Sequence, residues 1–270
     1  MNKLQLPGAR HVVAVASGKG GVGKSTVATN LALALAADGN TVGLLDADIY
    51  GPSQGLMLGI AEGTKPEVTN NQLLPIIAYG VQCMSMSFLK DERTPAVWRG
   101  PMASGALQQL LTQTRWDEVD ILVVDMPPGT GDIQLTLSQQ VPLSGALVVT
   151  TPQDIALIDA RKGIEMFRKV DVPVLGIVEN MSTHVCTECG HEEAVFGSGG
   201  GDAIAREYGV DLLAQLPLSM DIRMLSDAGR PPVANEPDGD IANRFKLIAR
   251  AVVDRVGTGP TGPAIRIVDD

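Results

Sequence analysis

Ser17-Gly18-Lys19-Gly20-Gly21-Val22-Gly23-Lys24-Ser25-Thr26 follows directly on the apolar, β-branched run His11–Ala16 (HVVAVA) and leads into the Ala/Leu-rich stretch Lys24–Ala37. From Gly18 to Ser25 it satisfies G-x-x-x-x-G-K-[ST], and it does so between a strand pattern and a helix pattern, the context that motif requires. The glycines let backbone N–H groups turn inward onto phosphate oxygens with no Cβ in the way. The start of the following helix adds a field that favours anions. The loop from Gly18 to Thr26 is therefore expected to cradle a nucleotide triphosphate. Lys24 would reach the β- and γ-phosphates, and the Ser25 hydroxyl would ligate Mg²⁺. Gly18, Gly20 and Gly23 also fit G-x-G-x-x-G, with Asp46 or Asp48 at the end of the next strand, which resembles a dinucleotide fingerprint. The Lys24-Ser25 pair decides for the triphosphate, because a dinucleotide site has no use for it.

Working outward, short apolar runs alternate with helical patterns. Strands are expected at Thr41–Leu45, Asp120–Asp125, Ala146–Thr150, Val174–Val178 and Asp211–Leu216. Helices are expected at Met102–Thr114, Ile158–Val170 and Ile241–Val256. The strands are continuously apolar rather than alternating, which fits burial on both faces of a parallel sheet. The expected fold is a doubly wound, mostly parallel α/β sheet flanked by helices, a three-layer P-loop architecture, with ligands at the carboxyl ends of the strands. The rhythm breaks at Gly59–Leu89, with short strands at Leu74–Ala78 and Gln82–Met86, and again at Met181–Gly201. Residues 1–256 read as one domain with a CxxC loop near 182–201, and 257–270 as a flexible tail.

Of the 270 residues, 44% are hydrophobic and 19% charged, enough apolar material for a sizeable core, and a net charge of −10 with no dense basic cluster argues against nucleic acid as a partner. Three cysteines, Cys83, Cys186 and Cys189, do not make a secreted disulfide framework. No signal peptide or long apolar span is visible, so a cytoplasmic protein without a membrane partner is expected.

Two further carboxylate groups fall at strand ends. Asp125 closes its strand ahead of Met126-Pro127-Pro128-Gly129-Thr130-Gly131-Asp132, where a carboxylate can hold Mg²⁺ as a Walker B group does. The Pro/Gly loop after it suits a switch that answers to the γ-phosphate. Asp46 and Asp48 flank Ala47, and Asp48 is expected to position the attacking water while Asp46 serves the metal sphere. The plain alternative for all three is a capping or turn aspartate.

KGGVGKST, LLDADIYGPS, VWRGPM, DMPPGTGDIQLTL, TTPQDIAL, VPVLGIVENMS and Cys186-Thr187-Glu188-Cys189 together resemble the Mrp/ApbC family, ATPases of the MinD/ParA-like class implicated in iron–sulfur cluster carriage. The resemblance runs from about His11 to Val256. Many members of that family have a further small N-terminal domain, for which this sequence holds no counterpart. The resemblance implies a Mg-ATP-dependent homodimer in which Lys19, the extra lysine of a deviant Walker A loop, reaches the partner's nucleotide and joins Lys24 and Asp48 in catalysis. It also implies that Asn180, with Pro217 nearby, contacts the adenine base, and that apo iron–sulfur proteins and scaffold proteins are partners.

One CxxC supplies two thiolates, whereas a 4Fe–4S cluster takes four. Two subunits meeting on a two-fold axis, each presenting Cys186 and Cys189, would close the shortfall. Zinc remains a rival, since His184 and His191 flank the pair and Cys-Thr-Glu-Cys-Gly-His resembles half of a zinc knuckle. A redox dithiol and unliganded structural cysteines are further alternatives, and Cys83, in an apolar run, reads as core. At the level of function the rivals are a positioning ATPase of the ParA or MinD kind, a NAD-dependent dehydrogenase and an ATPase with structural zinc.

Overall fold

The computed structural model describes residues 3–89 and 100–257, with side chains in the second segment from 105 onward. Its elements run β1 (Ala9–Ala16), α1 (Lys24–Ala37), β2 (Val42–Asp46), α2 (Gln54–Met57), β3 (Val68–Thr69), β4 (Gln72–Leu73), β5 (Ile76–Ala78), β6 (Val81–Ser85), α3 (Gly100–Gln113), β7 (Val119–Asp125), α4 (Asp132–Gln140), β8 (Gly145–Thr150), α5 (Asp154–Lys169), β9 (Val174–Glu179), β10 (His184–Val185), β11 (Glu192–Glu193), α6 (Gly200–Tyr208), β12 (Leu212–Gln215), α7 (Met220–Asp227), α8 (Pro232–Asn235) and α9 (Asp240–Gly257). Eight strands form one sheet in the order β12-β9-β8-β1-β7-β2-β6-β5. Every pairing in it is parallel except β5 against β6 at the edge.

The expected doubly wound parallel architecture is the one observed. β2 and β8 are buried along their whole length, which is why they read as unbroken apolar runs. β1 lies between β7 and β8, where the winding of the sheet reverses, so the loop leaving β1 opens at a topological switch point. α1 is buried on nearly all sides, against the sheet and α9, so it is built from Ala and Leu without a polar stripe.

Expected and observed strands and helices coincide within a few residues at each end, the usual uncertainty of element boundaries. The stretch Gly59–Leu89 holds the small β3–β4 hairpin as well as β5 and β6. The glycine run Gly197–Gly201 leads into a helix that sequence periodicity did not disclose: Gly199 is left-handed at φ 76°, and α6 begins with the next residue. A Cβ at Gly200 would lie 2.4 Å from Leu157 Cδ1, so these glycines let α6 start hard against α5. The tail 258–270 and the first half of VWRGPM, residues 97–99, lie outside the described residues. Among the described residues, no helix is long and apolar enough to cross a membrane.

Candidate functional site

The loop after β1 is held open by its own backbone. Gly21 and Gly23 both sit at φ 82°, a left-handed conformation that a side chain would strain. The Ser17 hydroxyl donates to the Lys19 carbonyl at 2.8 Å and closes the start of the turn. Gly18 passes so close to α5 that a Cβ there would lie 2.1 Å from the Asp159 carbonyl oxygen. The N-cap of α1 is Gly23, which has no side chain to spend on the first amides of the helix, so they are left to a ligand or to water. Lys24, Ser25, Thr26, Asp48, Ser53 and Pro128 line the cleft in front of them. Ser53 Oγ is buried there without a hydrogen-bond partner, and an orphaned hydroxyl beside an uncapped helix start suits an oxygen-rich, metal-bound guest. The donor set therefore fits a magnesium–nucleotide complex.

Behind the cleft lies a buried charged network. Lys24 is only 6% exposed, and its ammonium pairs with Asp125 Oδ1 and approaches Ser25 Oγ at 3.3 Å. The other Asp125 oxygen accepts from Gln54 Nε2 at 2.8 Å. Asp46 and Asp125 face each other in register at the ends of β2 and β7. Burial, with the Asp125 charge adding to it, pushes the Asp46 carboxyl well above the ordinary carboxylate range. Four donors surround Asp46: the amides of Asp48, Ser53 and Gln54 and the Ser85 hydroxyl. In this structure Asp46 thus anchors the turn from β2 into α2. Asp48 lines the cleft, with one oxygen accepting from the amides of Tyr50 and Gly51. Lys19 is half-buried on the loop and has no acidic partner among the described residues.

Asn180 lies directly beneath the phosphate loop. Its side-chain amide donates to the Val22 carbonyl at 3.0 Å, and a Cβ on Gly23 would meet its nitrogen at 2.1 Å. Here it braces the loop. Pro217 is near it, because the Leu216 amide bonds to the Glu179 carbonyl and the Ser182 amide to the Leu216 carbonyl. Sequence reasoning missed Gln54 and Glu179. Glu179 is fully buried at the end of β9, where it accepts from Gly201 N in the first turn of α6, from Ser182 Oγ and from Gln215 Nε2. Its signal was the same as that of Asp46 and Asp125, a carboxylate closing an apolar strand.

The cysteine pair belongs to a separate structure. β10 and β11 form a two-residue antiparallel hairpin with Cys186 to His191 at its tip. The Cys186 amide bonds to the His191 carbonyl, and the Gly190 amide to the Cys186 carbonyl, both at 2.9 Å, with Gly190 left-handed at φ 71°. The backbone amides of Cys189 and then Glu188 point at the Cys186 sulfur and, with the Cys189 thiol, hold its thiol below the ordinary range. His184 is turned away to the Leu218 carbonyl, 3.1 Å from its Nδ1, and His191 is exposed. Among the described residues, no group of three or more His, Cys, Asp or Glu side chains is placed to hold a metal ion. Cys83 is buried in the core, where burial raises its thiol, as its apolar surroundings led us to expect.

The profile of a family described as ParA, NUBPL iron-transfer P-loop NTPase, matches residues 8–253. An iron–sulfur cluster carrier protein of Pseudomonas fragi is 61% identical over 251 residues, covering 92% of this chain and 88% of that protein. The mouse iron–sulfur cluster transfer protein NUBPL is 52% identical over 258 residues, covering 94% of this chain and 80% of its own. Among solved structures, a nucleotide-binding protein from Archaeoglobus fulgidus in complex with ADP superposes with a TM-score of 0.77 at 37% identity, over 89% of this chain and 93% of that one.

Proposed function

The chain belongs to the ParA family of NUBPL iron-transfer P-loop NTPases, and from that membership we propose that it is a slow ATPase that binds an iron–sulfur cluster between two copies of itself and hands it to apo-proteins. The observation that supports the bridging site is the hairpin. It offers two thiols, one of them already favoured as thiolate by surrounding N–H groups, and no third ligand gathers beside them among the described residues. A 4Fe–4S cargo needs four thiolates, and a two-fold axis through the hairpin tips supplies them.

In the nucleotide site the loop amides from Gly18 to Thr26 would bind the phosphates. Lys24 would neutralise charge on the β- and γ-phosphates, and Lys19 would do the same for the partner's nucleotide. Asp48 would orient the attacking water. Ser25 and Asp125 would hold Mg²⁺, with Asp46 fixing the turn that presents Asp48. When bound, Mg²⁺ supplies charge neutralisation at the phosphate oxygens. Asn180 and Pro217 would flank the adenine. Scaffold proteins that load the cluster and apo-proteins that receive it are the expected partners.

Anaerobic reconstitution with iron and sulfide tests the reading. The wild-type chain should gain a brown chromophore at one cluster per two chains and run as a dimer. Cys186→Ala and Cys189→Ala should stay colourless. A chromophore of wild-type intensity in either variant, or an isolated protein that holds zinc and takes up no iron, would defeat the assignment.

A further inference from the structure

Gln54 is fully buried where the turn after β2 enters α2. Its side-chain amide ties two other elements, α1 and β7, to the start of α2. Nε2 donates to Asp125 Oδ2 at 2.8 Å and to the Ser25 carbonyl at 3.2 Å, while Oε1 accepts from Thr29 Oγ1 at 2.5 Å. Its backbone amide is pinned at 3.1 Å to Asp46 Oδ2. Both amide protons and the carbonyl oxygen are therefore committed, and a helix of four residues has no need of such a network for its own sake.

Asp125 has two holders. Lys24 takes one carboxylate oxygen and Gln54 the other. The two differ in what else is asked of them. Lys24 is the group that a triphosphate would draw toward itself, on the reading given above, on which this inference rests. Gln54 meets the phosphate loop only at the Ser25 carbonyl, an acceptor that binds no phosphate oxygen, and it is tied at its carbonyl by Thr29 and at its backbone by Asp46. We propose that Gln54 is a positioning residue: it keeps the Asp125 carboxylate in its metal-holding orientation once Lys24 is committed to the nucleotide, and so sets the Mg²⁺ affinity of the nucleotide-bound protein. It couples the turn after β2 to the end of β7 through one side chain, so the two loops on either side of the cleft respond together.

The test is a titration of a fluorescent ATP analogue, first in EDTA and then across Mg²⁺ concentrations, with the full chain and with Gln54→Leu. In EDTA the variant should bind within about twofold of wild type, because no phosphate contact is lost. The Mg²⁺ concentration for half-maximal tightening should rise about tenfold, the scale of one lost hydrogen bond to a buried charge. Thr29→Val keeps the Gln54 amide but frees its carbonyl, and should shift the same midpoint by about threefold. That second variant decides the matter if Gln54→Leu does not fold. An unchanged Mg²⁺ midpoint in a folded variant overturns the proposal, as does a loss of affinity that is equal with and without Mg²⁺, since that is what a merely structural residue would give. A wild-type chain whose nucleotide binding ignores Mg²⁺ is a different failure, and it falls on the nucleotide reading itself.

Discussion

In the phosphate cradle the charged side chains are interior. Lys24 and Asp125 pair below the surface, Asp46 is ringed by four donors, and the loop above them is braced by Asn180. In the cysteine hairpin two strands of two residues carry Cys186, Cys189 and His191 at the tip, with Cys189 and His191 exposed, Cys186 partly so, and Val185 beside the tip half exposed. The cradle is part of the hydrophobic core, so its chemistry and the stability of the fold share the same atoms. The hairpin is attached through backbone bonds such as that from Leu218 N to Thr183 O, and it has little core of its own. The buried charges of the cradle find their partners within the chain, whereas the hairpin offers two thiols with no third metal ligand beside them among the described residues.

Lys24→Ala gives the largest expected effect and tests the first half of that contrast. ATP hydrolysis should fall by at least ~10²-fold. The same change strands the Asp125 carboxylate, so unfolding in denaturant should show a loss of about 3–5 kcal/mol. Retained hydrolysis, or lost hydrolysis with unaltered stability, would break the link between core and catalysis. Next in size is Gly23→Ala, which forces a side chain into a left-handed position and against Asn180. About 1–3 kcal/mol of stability should be lost from strain alone, together with nucleotide binding. Cys186→Ala should do the opposite in the hairpin. Cluster uptake vanishes while the denaturation midpoint stays within about 0.5 kcal/mol of wild type, as for a surface change; a large destabilisation would mean that the hairpin is more integral than it looks.

The smallest effect is kinetic. Because N–H groups favour the Cys186 thiolate, that thiolate persists to lower pH, and its alkylation rate should reach its plateau at a lower pH than an ordinary thiol. Cys83, buried and with its thiol raised, should not label until the protein unfolds. Mass spectrometry of pH-stepped iodoacetamide labelling reads both. Equal rates at all three cysteines would erase the distinction.

The cradle was readable because its demands are local. Glycines at fixed spacing, a lysine next to a hydroxyl, and carboxylates closing apolar strands each state their reason within a few residues. Gln54 could not be found that way: its partners Ser25, Thr29 and Asp125 come from α1 and β7, and nothing in Ser53-Gln54-Gly55-Leu56 distinguishes it from a surface polar residue. Asn180 shows a related limit, since its hydrogen bond to the Val22 carbonyl spans 158 residues of sequence and leaves no local sign. α6 was hidden because its first turn is glycine, the residue least suggestive of helix, and the reason for those glycines is α5 and Glu179, far off in sequence.

The position of β1 has a consequence for how the chain comes to fold. Ala9 lies opposite Val119 and Val13 opposite Gly145, so the central strand finds both of its neighbours more than a hundred residues further along the polypeptide. As the chain leaves the ribosome, the glycine loop and its lysine are made early but have nothing to rest on, and the unpaired strand stays open to wrong partners until β7 and β8 emerge. The loop can take its final shape only after that, and a chain cut short before β8 would be material for proteases and chaperones rather than a weaker version of the protein.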